Sequence, residues 1–111
     1  INERILPFVN EYYSDSCGLS GQKCYVCHSL VRKYLPEERA SHPAHFDTHA
    51  LVTGVIALNS YGKDFEGGIY VSVGANPNNK DREKYIGLQA GDALFHQSNL
   101  LHGVRVESGT R

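Results

Sequence analysis

This 111-residue sequence has no methionine, no run of basic residues and no apolar stretch approaching the length of a membrane span. Each absence closes a class of function. A bilayer-spanning helix needs about 20 consecutive apolar residues, so no span lies in this segment. Eleven Lys and Arg against twelve Asp and Glu give a formal net charge of −1, which leaves phosphate-driven binding of nucleic acid little support. The missing methionine removes a second axial ligand for a haem at Cys24-Tyr25-Val26-Cys27-His28, a literal C-x-x-C-H string. No signal-peptide pattern is present. The chain starts at Ile1 and reads as a piece of something longer, so this says nothing of compartment. Three cysteines, an odd count, leave the compartment equally open. Zinc held by Cys17, Cys24, Cys27 and His28 has no second half-site of regular spacing. A disulfide from Cys17 to Cys24 or Cys27, or plain buried thiols, is the simpler expectation.

What is present suits one small domain. Apolar residues make up 41% of the chain and charged ones 21%, enough for a single core and against disorder. Ile1, Ile5, Phe8 and Tyr12 stand at helical spacing, and Pro7 predicts a short or kinked helix. Residues 14–23 read as a polar loop. Residues 24–35 (CYVCHSLVRKYL) read as a strand, and Pro36-Glu37-Glu38-Arg39 as a tight turn or one helical turn. The apolar run 51–59 predicts a buried strand, residues 61–66 a turn, and residues 69–73 a strand opened by Gly67-Gly68. The tract 75–84 is a polar excursion, expected to be the most mobile loop. Strands are predicted again over 85–89, 93–96 and 101–106. No internal repeat or low-complexity tract interrupts this pattern. Many short strands with little helix predict an all-β antiparallel sandwich or barrel with a short N-terminal helix. A jelly roll suits best, because it faces sequence-distant strands across one mouth.

Within that pattern, His45-x-Asp47 places an imidazole and a carboxylate on one face of an extended strand. His102 follows 55 residues after Asp47, on another predicted strand. Two histidines and one carboxylate on one face of an ion leave the opposite positions open, as in non-haem Fe(II) oxygenases. Arg111, nine residues beyond His102, supplies a guanidinium able to grip a carboxylate bidentately. Asp47-x-His49 is a rival pair, ranked lower because a fourth protein ligand would close a position that O2 needs. His42 and His96 lie close to these residues in sequence and are candidates for supporting roles or substrate contacts.

The set His45-x-Asp47, His102 and Arg111 resembles the 2-oxoglutarate and Fe(II)-dependent dioxygenases, and within them the prolyl/lysyl hydroxylase branch, lysyl hydroxylase most closely. The strings Lys33-Tyr34-Leu35-Pro36-Glu37-Glu38, Ala57-Leu58-Asn59, Asp64-Phe65-Glu66-Gly67-Gly68, Gly91-Asp92-Ala93-Leu94 and Ser108-Gly109-Thr110-Arg111 support it in order. The resemblance implies a double-stranded β-helix, with His45, Asp47 and His102 as iron ligands. It implies Arg111, with Tyr34, as partners of the distal carboxylate of 2-oxoglutarate. It implies hydroxylation of prolyl or lysyl side chains in a peptide or protein, consuming O2 and releasing succinate and CO2, with ascorbate as a further cofactor. The compartment it implies is the lumen of the endoplasmic reticulum if the collagen-type likeness carries over, and the cytoplasm otherwise. Two departures stand out: one residue fewer separates His102 from Arg111, and the family continues through an eighth core strand after the arginine, so the fold is expected to be truncated before its last strand. The same chemistry on a small molecule, or a catalytically silent jelly-roll binding module, are the alternatives.

Overall fold

The computed structural model describes residues 1–17, 21–74 and 82–111. Helix α1 spans Ile5–Tyr12 and α2 spans Ser14–Cys17. Pro7 sits in the first turn of α1, where its missing N–H costs nothing, and the Ile1 carbonyl accepts from the Ile5 and Leu6 amides at 2.9 and 3.0 Å. Phe8 packs on Tyr12 and on Phe95 with centroids 4.5 and 5.2 Å apart, and the Tyr13 hydroxyl donates to the Phe95 carbonyl. The helix is thereby pinned to the strand that carries Phe95. A disulfide joins Cys17 to Cys24, while Cys27 is free and exposed. That bond consumes two of the thiols that a zinc site here would need.

Six strands follow: β1 Ser41–His45, β2 Val52–Ile56, β3 Phe65–Ser72, β4 Glu83–Tyr85, β5 Ala93–Gln97 and β6 His102–Gly109. They form a four-stranded sheet in the order β1-β6-β3-β4 and a two-stranded sheet β2-β5, every pairing antiparallel. Tyr34, Phe65, Ile69, Val104 and Val106 make the buried core, with Val55 and Leu94 packed on it from the two-stranded sheet and Ile86 and Leu88 from the connection after β4. The sheets thus enclose one apolar layer. The described residues are mostly β, as expected of an all-β chain. Gly67 marks an irregularity in the β3–β6 register and, with Gly68, adopts a φ near +90 to +110°, which only glycine adopts readily.

Several boundaries differ from the sequence reading. Residues 24–35 form no strand: Tyr25 and Val31 are exposed, and only Leu35 makes a bridge, to Arg39 across the expected turn. β-Branched composition describes fit to a pleated surface, and a strand exists only where a neighbour accepts its backbone bonds. Residues 51–59 yield a five-residue strand with Leu51, Ile56 and Leu58 exposed, not a buried one. β3 starts at Phe65, inside the expected turn, because its ladder with β6 runs to Gly109. The strand expected over 85–89 is instead β4, ending at Tyr85. Residues 14–17 of the expected loop are helical. Of the polar tract 75–84, residues 75–81 lie outside the described residues.

Candidate metal centre

Two cross-strand pairs build the site. β1 runs antiparallel to β6 so that His45 stands directly opposite His102. β2 runs antiparallel to β5 so that Thr53 stands directly opposite His96. Asp47 lies two residues past the end of β1, in the turn to β2, and all four side chains converge on its carboxylate. His45 Nε2 is 3.1 Å from Oδ1, and His102 Nε2 and His96 Nε2 are 3.5 and 3.7 Å from Oδ2. The Thr53 hydroxyl donates to Oδ2 at 2.6 Å. Asp47 is thus the point at which the two sheets meet. It lies outside the regular strand, so His45 and Asp47 share the site through the turn and not through strict alternation.

Asp47, His96 and His102 are buried; the side chain of His45 is 34% exposed and forms the open side. The protons on the rings are placed by their second nitrogens. His45 Nδ1 faces the Pro43 carbonyl at 2.8 Å, His102 Nδ1 the Leu100 carbonyl at 2.9 Å, and His96 Nδ1 the Gln97 carbonyl at 2.9 Å. A carbonyl only accepts, so each Nδ1 carries hydrogen and each neutral ring offers a bare Nε2. Three nitrogen lone pairs therefore face one carboxylate, and His96 Nε2 has no hydrogen-bond partner at all. Protons could bridge these groups, but burial pushes the His102 imidazole below its ordinary pKa, against weaker raising effects of the Leu100 carbonyl and Asp47. Burial acts to raise the Asp47 carboxyl. The Thr53 hydrogen bond, with the pull of the His102, His45 and His96 rings when they are protonated, outweighs it, so its pKa lies below the ordinary value. Lone pairs gathered around an ionised carboxylate are a donor set that suits a cation.

The fit to one ion is metric. Bonds of about 2.1 Å at right angles separate adjacent donors by about 3.0 Å, close to the 3.1 Å between His45 Nε2 and Asp47 Oδ1. One donor atom each from His45, Asp47 and His102 lies within 4.8 Å of the others; His96 does not join that set. The Nδ1 contacts to backbone carbonyls orient the rings in the way metal-bound imidazoles usually are.

Comparison with protein-family models and with curated proteins gives no match. The reading of the site rests on its own geometry.

Of the residues singled out in the sequence, His45, Asp47 and His102 come together. His49 is exposed in the turn after Asp47 and makes no contact with the cluster. Tyr34 and Arg111 form a separate group. They exchange both backbone hydrogen bonds, at 2.6 and 3.1 Å, and the Arg111 guanidinium carbon lies 5.9 Å from the centroids of both the Tyr34 and Phe65 rings. Burial lowers the Arg111 pKa, partly offset by Tyr34, and none of the ion pairs among the described residues involves it. Arg111 lies beyond the end of β6 opposite to His102. Its side chain folds back along the sheet: a Cβ at Gly68, the β3 partner of Arg105, would stand 4.0 Å from its Nε, three residues or about 10 Å along β3 from Val71, which pairs with His102. Thr53 escapes a reading of motifs. Its signal is the register that pairs it with His96, which emerges only once β2 and β5 are aligned.

Proposed function

We propose that this chain is the catalytic core of an Fe(II)- and 2-oxoglutarate-dependent hydroxylase, a jelly roll of the double-stranded β-helix kind, acting on prolyl or lysyl side chains of a peptide or protein. The observation that carries it is the convergence of three bare Nε2 atoms on the Asp47 carboxylate from two facing sheets. His45, Asp47 and His102 would hold the metal from one side, with the opposite positions open. Thr53 holds Oδ2, leaving Oδ1 beside His45 as the ligating oxygen. Bound there, iron supplies activation of O2 coupled to decarboxylation of the co-substrate. The chain supplies orientation, through the carbonyls of Pro43 and Leu100, and exclusion of water, through the burial of Asp47, His96 and His102. Arg111 is a half-buried guanidinium in no ion pair among the described residues, a costly state. A dicarboxylate held between the metal ligands and the Arg111 side chain, which folds back beside Gly68, would relieve that cost. Ascorbate then serves to keep the iron reduced. Succinate release, dependent on Fe(II), O2 and 2-oxoglutarate and lost in His45→Ala and Asp47→Ala, is the expected result. Folded protein that binds iron yet turns over no 2-oxoglutarate, with either peptide or small-molecule panels present, would refute the activity.

His96 favours a second reading. A fourth buried donor beside Asp47 would make three imidazoles and one carboxylate, a closed tetrahedral zinc set in a catalytically silent binding module. The number of imidazoles bound to the metal, two or three, separates the readings.

A further inference from the structure

The row of imidazoles extends past the carboxylate. Ring centroids of His96 and His102 are 4.2 Å apart, those of His102 and His45 4.5 Å, and those of His45 and His42 4.4 Å, the last pair edge to face. His42 differs from the other three in its proton. Arg39 Nη2 donates to His42 Nδ1 at 3.1 Å, so Nδ1 is the acceptor and the hydrogen sits on Nε2. Three rings of the row present lone pairs; the fourth, on the open side next to His45, presents an N–H.

Its surroundings are cationic. The Leu35–Arg39 bridge closes the turn that carries Arg39, and that turn sets the guanidinium against His42. Arg32, on the neighbouring extended segment, is near enough for its charge to act on the same ring. Glu37 and Glu38 share the turn, yet the ion pairs among the described residues involve only the carboxylates of Asp47 and Glu83. The accessible flank of the candidate metal centre therefore bears the Arg39 guanidinium, in no ion pair with a carboxylate among the described residues.

We infer that Arg39, held in place by His42, forms a subsite that binds a carboxylate of the primary substrate beside the metal. This rests on the function proposed above and names its substrate class: an acidic one. The guanidinium fork donates to a carboxylate bidentately, and His42 Nδ1, accepting from Nη2, fixes the orientation of that fork. A carboxylate here comes either from an Asp or Glu flanking the modified residue of a peptide, or from a free small-molecule acid.

The test is binding, not turnover. The full chain is loaded with Zn(II) and saturating 2-oxoglutarate. Dye-labelled decapeptides centred on proline or lysine and flanked by Glu, Gln or Lys are titrated by fluorescence anisotropy, and glutarate and citrate by calorimetry. Glu-flanked peptides are expected to bind about tenfold tighter than Lys-flanked ones, with the order inverted in Arg39→Glu and the preference weakened in His42→Ala. If the substrate is a small acid, the peptides show no charge preference, and glutarate or citrate binding is lost in Arg39→Glu. Either pattern supports the subsite and identifies its source. No charge preference with either probe, or a preference unchanged in Arg39→Glu, overturns it. Co(II) absorption of the same protein keeps the two claims apart. A cobalt spectrum without charge preference overturns the subsite alone, whereas absence of the spectrum overturns both.

Discussion

Thr53→Val removes one hydroxyl and almost no volume, which isolates the contact that holds Asp47 Oδ2. The bond is short, 2.6 Å, and its acceptor is a buried carboxylate. Hydrogen bonds to charged groups contribute about 1.5–3 kcal/mol, and each 1.4 kcal/mol is tenfold in affinity. Loss of this donor should therefore weaken metal binding by roughly 10–100-fold, the range found for partners that orient metal ligands. Without Thr53 the carboxylate is free to rotate, and the placement of Oδ1 against His45 Nε2 is no longer enforced. Competition of the protein with a chelator for Co(II) measures the effect, and Thr53→Ser should restore most of it. The reasoning is refuted if the folded valine variant binds cobalt within threefold of the parent.

Three other outcomes follow from the same geometry. Unfolded His102 and His42 titrate near 6.5, and burial, the largest cause for each, lowers both in the folded chain. The unfolded chain then binds more protons just below that pH, so the metal-free protein should be fully stable above about pH 6.5 and lose stability as the pH falls; a urea midpoint higher at pH 5.5 than at 7.5 would contradict this. A methyl group at Gly103 would meet the Tyr70 hydroxyl and stand 2.8 Å from the His42 carbonyl, so Gly103→Ala should cost about 1–3 kcal/mol by urea denaturation, and an unchanged midpoint would show that the tyrosine yields freely. Arg111→Gln should raise the KM for 2-oxoglutarate about tenfold or more while cobalt affinity stays unchanged, a split that steady-state kinetics and the chelator assay read separately.

The ligand triad is legible in the residues because its pieces are local or stand at the ends of strongly patterned strands: His45 and Asp47 two apart, His102 at the start of β6. The Pro36–Arg39 turn and the Pro7 helix start are legible for the same reason, since proline chemistry acts within a few residues. Residues 24–35 mislead because their strand-like composition says nothing of whether a neighbour accepts their backbone bonds. Thr53 and His96 depend on the register between β2 and β5, which a one-residue slip would turn to the opposite face. The odd proton on His42 depends on Arg39, at the end of the turn, reaching forward three residues, a contact that no spacing rule announces.

The central claim is that His45, Asp47 and His102 bind one ion while leaving positions free for other ligands. Anaerobic Fe(II) titration of the chain, followed by nitric oxide and electron paramagnetic resonance with pulsed detection of nitrogen couplings, addresses it directly. The account predicts one equivalent of iron, two coordinated imidazoles, and a nitrosyl signal that Asp47→Ala and His102→Ala abolish. Three coordinated imidazoles with no nitrosyl signal, or no iron bound at all, would contradict it.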